Sequence, residues 1–152
     1  MVGIRISPAR GADHADWLAM RVALWPEGQE NEHRAEIAIY DDDEQAPICL
    51  IARDDAGTAL GFAEADLRHD YVNGCETSPV AFLEGIYVRP EARGRGVARE
   101  LILAVEAWAA GLGCTEFASD ASIDNTESHA MHEALGFEET ERVVYFRKVL
   151  SA

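Results

Sequence analysis

The chain has 152 residues, and its 28 acidic against 13 basic side chains leave a formal net charge of −15. That balance repels nucleic acid and anionic lipid and favours a cationic partner, beside its ordinary effect of keeping a surface solvated. With 48% hydrophobic and 27% charged residues, the composition excludes a disordered chain, and the length predicts one domain over residues 1–152 with a core of its own.

In chain order, "GIRISPA" (3–9) predicts an opening strand. Asp13 is placed to cap a helix whose Trp17, Leu18, Arg21, Leu24 and Trp25 recur at helical spacing, and Pro26 ends it. "ENEHRAEIAIYDDD" (30–43) reads as a second, highly charged helix that stops in an acidic run. "ICLIARDDAGTALGFAEADLR" (48–68) is two apolar runs around a turn in which Gly57 is free to take positive φ, the pattern of an antiparallel hairpin. "HDYVNGCETSP" (69–79) is a polar loop carrying Tyr71 and Glu76.

"VAFLEGIYV" (80–88) is apolar on both faces apart from Glu84 and Gly85, so it belongs inside a sheet. From Val97, residues Leu101, Ala104, Val105, Trp108 and Leu112 mark one face of a long helix ending at Gly113. "CTEFASDAS" (114–122) predicts another strand. "DNTESHAMHEAL" (124–135) predicts a helix capped by Asp124 or Asn125 and closed by Gly136, and "ERVVYFRKVL" (141–150) a last strand. The predicted order is β-α-α-β-β-β-α-β-α-β, a mixed α/β sheet with a strand–turn–helix unit at its centre.

Cys49, Cys75 and Cys114 are odd in number and form no CxxC pair, so a reducing, cytoplasmic setting is expected, with neither a disulfide framework nor a zinc site. The opening residues lack the apolar stretch of a signal peptide, and no apolar run approaches the length of a membrane span. His14, His33, His69 and His129 show no metal-ligand spacing, so no metal is expected.

The central turn, "RPEARGRGVARELI" (89–102), gathers arginines and glycines in an otherwise acidic chain. A strand that feeds a glycine-rich turn opening a helix makes an anion site, because first-turn amides lack helical acceptors and the helix dipole is positive there. Gly94 and Gly96 let the backbone approach an anion with no Cβ between. The spacing is neither GxxxxGK[ST] nor GxGxxG.

"LEGIYVRPEARGRGVARELI" resembles the signature of the Gcn5-related acetyltransferases (GNAT superfamily): a strand ending in V-x-P, then Arg/Gln-x-x-Gly-x-Gly/Ala, met by Arg93, Gly96 and Ala98. "N…HEALGF" resembles that family's second stretch, and the element order agrees with its acyl-CoA N-acyltransferase fold. "LWP", "LRHDYVNGCETSPVAFLEGIYV", "ASDAS" and "HEALGFEETERVVYFRK" are similar to the short bacterial aminoglycoside 6'-N-acetyltransferases. Residues 27–47 carry no motif that matches.

The resemblance implies acetyl-CoA as co-substrate, its pyrophosphate cradled by the segment Arg93, Gly94, Arg95, Gly96, Val97, Ala98 and Arg99. Ile86, Tyr87 and Val88 would pair with the pantetheine arm where their strand splays from its neighbour. Asn125 matches a coenzyme-contacting position, while by itself it reads equally well as a helix cap. The acceptor implied is the 6'-amine of a polycationic aminoglycoside, a reaction that confers antibiotic resistance. The same fold and cofactor would also suit a polyamine, a peptide or a protein amine. A homodimer is implied by likeness to the relatives, with neither nucleic acid nor membrane as a partner.

Direct acetyl transfer in a ternary complex needs a neutral amine, a thioester beside it and donors for the developing oxyanion. An acid inside an apolar strand is costly unless it is paired or wet, which singles out Glu84. By the resemblance, Glu84, Asp120 and Glu141 bind substrate amines, with Glu76 in the loop, while Trp25 and Tyr71 shape the sugar pocket. Spacing alone reads Trp25 as core. Glu84 or Asp120 takes the ammonium proton, and the residues do not choose between them. Where relatives carry a tyrosine, this chain has His132, which is read as a proton donor to the thiolate or as packing.

Overall fold

The computed structural model describes residues 3–41 and 45–151. Residues 42–44, within the acidic run expected after the second helix, lie outside the described residues, as do 1, 2 and 152. The elements are β1 (Arg5–Pro8), α1 (His14–Leu24), α2 (Glu30–Tyr40), β2 (Ile48–Arg53), β3 (Ala59–Arg68), β4 (Val80–Val88), α3 (Val97–Gly111), β5 (Phe117–Ser119) and α4 (Thr126–Ala134), with short 3-10 turns before α1 and α3. The sheet runs β1-β2-β3-β4-β5. Its first three pairings are antiparallel and β4–β5 is parallel, the connection a strand needs when it returns through a helix such as α3.

Period-two alternation in the β2–β3 hairpin sends side chains to two cores. Leu50, Ala52, Ala63 and Ala65 face one side, where Val97, Leu101, Ile102 and Val105 of α3 cover them. Cys49, Ile51 and Phe62 face the other, under Trp17 and Met20 of α1 and Ile37 of α2. Ile51 and Phe62 are fully buried, and each such burial contributes about 1.5–3 kcal/mol. The hairpin turn places Gly57 at φ 84°, and Asp54 accepts the Ala56 and Thr58 amides across it.

Three expectations are corrected. Asp13 precedes α1 but does not cap it. Its carboxylate accepts the Arg10 amide at 2.7 Å and the Arg53 guanidinium at 2.6 Å instead, because a cation from β2 is a stronger partner than an amide of its own helix. The strand expected over 114–122 is three residues long, since β4 offers it pairing only from Ala81 to Leu83. Residues 141–150 form no strand among the described residues. Val143, Val144, Tyr145, Phe146, Val149 and Leu150 are all exposed, and among the described residues no strand pairs with this segment.

Candidate active site

β4 holds the geometry that everything else meets. Its register with β3 pairs Glu64 with Gly85 and then Ala65 with Leu83, so Glu84 is an extra, unpaired residue, a bulge. Pairing with β5 stops at Leu83, one residue earlier. From Glu84 to Val88 the β5 side of β4 is therefore open, and its backbone groups face a cleft instead of a strand. A bulge re-aims its side chain, and Glu84 turns to Arg68, which donates to it at 2.8 and 3.1 Å. Arg68 in turn stacks on Phe82.

The cleft is a cavity of about 760 Å³ walled by β4, the turn after it and α4. Ile86, Tyr87, Val88, Arg93, Gly94, Gly96, Val97, Ala98, Asp120 and Asn125 line it, together with Trp25 and Glu84. Gly94 and Gly96 take φ 79° and 84°, a left-handed conformation that disfavours a Cβ. Nothing lies within 4 Å of a Cβ built at either, so the space above the turn is open. Gly96 sits at the N-cap of α3 and no side chain caps it, which leaves first-turn amides directed at the cleft. Arg93 folds back, donating to the Val88 carbonyl at 3.0 Å, and Arg95 donates to the Glu91 carbonyl at 3.0 Å. Neither Arg95 nor Arg99 lines the cavity.

At the far wall His132 Nδ1 donates to the Ser128 carbonyl at 2.6 Å, since a carbonyl can only accept. Its Nε2 faces the Ser119 hydroxyl at 2.8 Å and so accepts that proton when the ring is neutral. Asn125 accepts the Ser128 amide at 3.1 Å and caps α4 while also lining the cavity.

A second cavity of about 450 Å³ lies across β4, under α1 and α2. Glu32, Glu36, Glu64, Asp66 and Glu84 line it against one guanidinium, Arg21. The two cavities share Trp25 and Glu84. Trp25 reaches that junction because residue 85 is glycine: a Cβ there would lie 2.5 Å from the indole ring.

Beneath the acidic cavity is a buried polar network. Glu64, 2% exposed, accepts from Trp17 Nε1 at 2.9 Å, from Arg21 Nη1 at 2.8 and 2.7 Å, and from the Tyr40 hydroxyl at 3.1 Å. Burial raises the Glu64 carboxyl above its ordinary range, and Arg21, Trp17 and Tyr40 pull against that shift. Burial, then the Glu64 charge, push the Tyr40 hydroxyl far above the usual phenol range. Arg21 also bonds Glu36.

Of the residues that sequence reasoning placed in the site, the structure brings Trp25, Glu84, Asp120, Asn125, Ile86 to Val88, Arg93, Gly94 and Gly96 to Ala98 around one cleft. Tyr71, Glu76 and Glu141 are exposed and line neither cavity. Arg21, Glu32, His33, Glu36, Tyr40, Glu64 and Asp66 were missed. Glu64 carried the signal that found Glu84, an acid within the apolar run "GFAEADL". The α2 acids carried none, because a charged face on a helix is what solvent also selects.

The GNAT acetyltransferase family model matches residues 16–137. An aminoglycoside N(6')-acetyltransferase type 1 from Acinetobacter genomosp. 13 is 52% identical over 145 residues, covering 95% of this chain and 98% of the relative. The crystal structure of the aminoglycoside antibiotic 6'-N-acetyltransferase AAC(6')-Ih from Acinetobacter baumannii superposes with TM-score 0.92 at 50% identity, covering 98% of this chain and 100% of that one. AAC(6')-Iy, in complex with the bisubstrate analog CoA-S-monomethyl-acetylneamine, gives TM-score 0.91 at 46% identity, covering 97% and 99%. The open strand, the uncapped glycine turn and these similarities lead to one conclusion: the chain belongs to the GNAT acetyltransferase family, in its aminoglycoside N(6')-acetyltransferase type 1 branch.

Proposed function

We propose that the chain transfers the acetyl group of acetyl-CoA directly to the 6'-amine of an aminoglycoside, with the glycine-turn cavity holding the donor and the acidic cavity the acceptor. The observation that carries this division is the junction: Trp25 and Glu84 belong to both cavities, so two ligands entering from opposite sides meet there. Acetyl-CoA supplies the activated acyl group and the thiol that leaves. The residues present fit it. Gly94 and Gly96 keep the turn free of side chains, and the amides of Val97, Ala98 and Arg99 have no helical acceptor, so they bind a diphosphate. The Ile86–Val88 backbone, paired with β3 on one side and open on the β5 side, pairs there with an extended arm, and one of its amides meets the developing oxyanion.

On the acceptor side, among the described residues, five carboxylates against one guanidinium attract a polyammonium sugar and orient it. Glu84 takes the proton from the attacking ammonium, directly or through a water, because it lines both cavities while Asp120 lines only the donor side. Arg68 fixes its carboxylate. Trp25, which lines both cavities, holds the sugar. His132, held between Ser128 and Ser119, returns a proton to the departing thiolate from Nε2 when the ring carries both hydrogens.

The chain acts as a cytoplasmic homodimer in this reading. Its three cysteines are free, as a reducing compartment keeps them, and no helix among the described residues is long and apolar enough to cross a membrane. Among the described residues the outer edge of β5 is unpaired, and residues 143–150 expose six large apolar side chains. A second copy supplies the missing cover for both. Light scattering should give twice the chain mass, and deletion after Thr140 should give the monomer.

The activity is tested by thiol release over an acceptor panel. Turnover is expected with kanamycin and tobramycin, and none with drugs bearing a 6'-hydroxyl. Turnover with spermidine or peptides but not with the 6'-amino drugs would overturn the assignment.

A further inference from the structure

Trp25 stands at the junction of the two cavities, yet it follows the last residue of α1, where a chain is usually free to fray. Its backbone is held at both ends. Its amide donates to the Arg21 carbonyl at 2.8 Å, and its carbonyl accepts from His33 Nε2 at 3.1 Å. A carbonyl has no proton to give, so Nε2 carries the ring hydrogen and Nδ1 is left as an acceptor. Nδ1 receives the Arg21 Nε proton at 3.3 Å. The neutral ring thus links Arg21 to Trp25, and it is sealed from water, 3% exposed.

Arg21 cannot move to break this link, since Glu64 binds it twice from below. Its guanidinium carbon lies 4.7 Å from the Trp25 ring centroid, so the same cation grips the indole by its face. The segment between Trp25 and α2 wraps the histidine closely: a Cβ at Gly28 would sit 2.9 Å from His33 Nε2. The Trp25 carbonyl also accepts the Gly28 amide at 3.2 Å and the indole packs edge-on to Phe62, so His33 and Arg21 are the side chains that hold Trp25 by polar and cation contacts.

Resting on the acceptor assignment above, we propose that His33 is a positioning residue of the acceptor site: it relays the buried Arg21–Glu64 pair to the Trp25 carbonyl and so fixes the indole wall against which the sugar is held. It borders the acceptor cavity with its ring almost sealed and acts through Trp25.

The two ring nitrogens can be tested apart. His33→Asn keeps a group at the Nδ1 position for Arg21 and loses the donor to Trp25. His33→Gln keeps a donor at the Nε2 position. The full chain carrying 5-fluorotryptophan reports Trp17, Trp25 and Trp108 as separate fluorine resonances, with Trp25→Phe assigning one. In His33→Asn the Trp25 resonance should shift or broaden while that of Trp108 stays. The tobramycin KM should rise about tenfold with kcat and the acetyl-CoA KM nearly unchanged, the mark of lost acceptor binding. His33→Gln should restore most of both readouts. An unmoved Trp25 resonance in His33→Asn, or equal losses in the two variants, overturns the proposal. Should His33→Asn not fold, Gly28→Ala crowds Nε2 in an intact network and must move the same resonance. If the wild type turns over no aminoglycoside, the acceptor assignment fails, and the fluorine spectrum still decides the role of His33.

Discussion

The cavity we propose for the donor and the one we propose for the acceptor share Trp25 and Glu84 but are made of different material. The donor side is main chain: an open strand edge, two left-handed glycines and the uncapped first turn of α3. The acceptor side is side chain: acids from α2, β3 and β4 set over a buried network that ties α1 to α2 and β3. A main-chain site recognises what every acyl-CoA shares, and it is held by local geometry. A side-chain site recognises a charge pattern particular to one acceptor, and its precision depends on pairs of residues far apart in sequence. The two sides should therefore fail differently when altered.

The largest effect is expected where they meet. Glu84→Gln keeps the shape and the Arg68 contact but cannot accept the ammonium proton, so kcat should fall about 10²–10⁴-fold, read by thiol release at saturating substrates. A fall of less than threefold would pass the role to Asp120 and return Glu84 to being an ion pair of the bulge.

Next is the buried pair under the acceptor side. Arg21→Leu leaves Glu64 charged at 2% exposure without its cation, only Trp17 and Tyr40 still donating to it, so unfolding free energy from urea titration should drop by about 3–5 kcal/mol. Replacing both partners with Leu should recover much of that loss, because the cost lies in the orphaned charge. If the double variant is as unstable as the single one, the network matters through packing and not through charge.

The donor side should respond more narrowly. Gly96→Val forces a β-branched side chain into a φ of 84° and into the open space over the first-turn amides. The acetyl-CoA KM should rise tenfold or more, with the tobramycin KM unchanged. Equal effects on both substrates would erase the division between the cavities.

The smallest effect lies outside both sites and sets a baseline. Asp13 is pushed up by burial but held below its ordinary value by the Arg10 amide and by Arg53. A lowered native value means that the folded chain resists protonation there. The stabilisation is fully present above the ordinary aspartate range and is lost as pH falls through the depressed native value. Asp13→Asn should cost about 0.5–1 kcal/mol at pH 7, given the screening of a part-exposed pair, and the gap to wild type should close in acid. A gap independent of pH would mean that the carboxylate acts only as a hydrogen-bond acceptor.

The contrast also explains what could be read early. Element order from the opening strand to α4, the hairpin turn at Gly57 and the amphipathic face of α3 follow from periodicity and from glycine, which act over a few neighbouring residues. The glycine turn that lines the larger cavity was legible for the same reason, as Arg93 to Ala98 are contiguous. Glu84 was legible as an acid out of place in an apolar strand. The bulge that aims it was not, because register depends on β3, some twenty residues earlier.

Sequence by itself determined the donor half of this protein, since a strand, a glycine turn and a helix N-terminus encode their geometry within one stretch of chain. Only the tertiary structure decided the acceptor half. It brought Arg21, His33, Tyr40 and Glu64 into one dry network and left the apolar residues of 143–150 without cover in their own chain. The physical reason is range: backbone geometry is set by neighbours, whereas burial and the pairing of charges are set by whatever the fold places alongside.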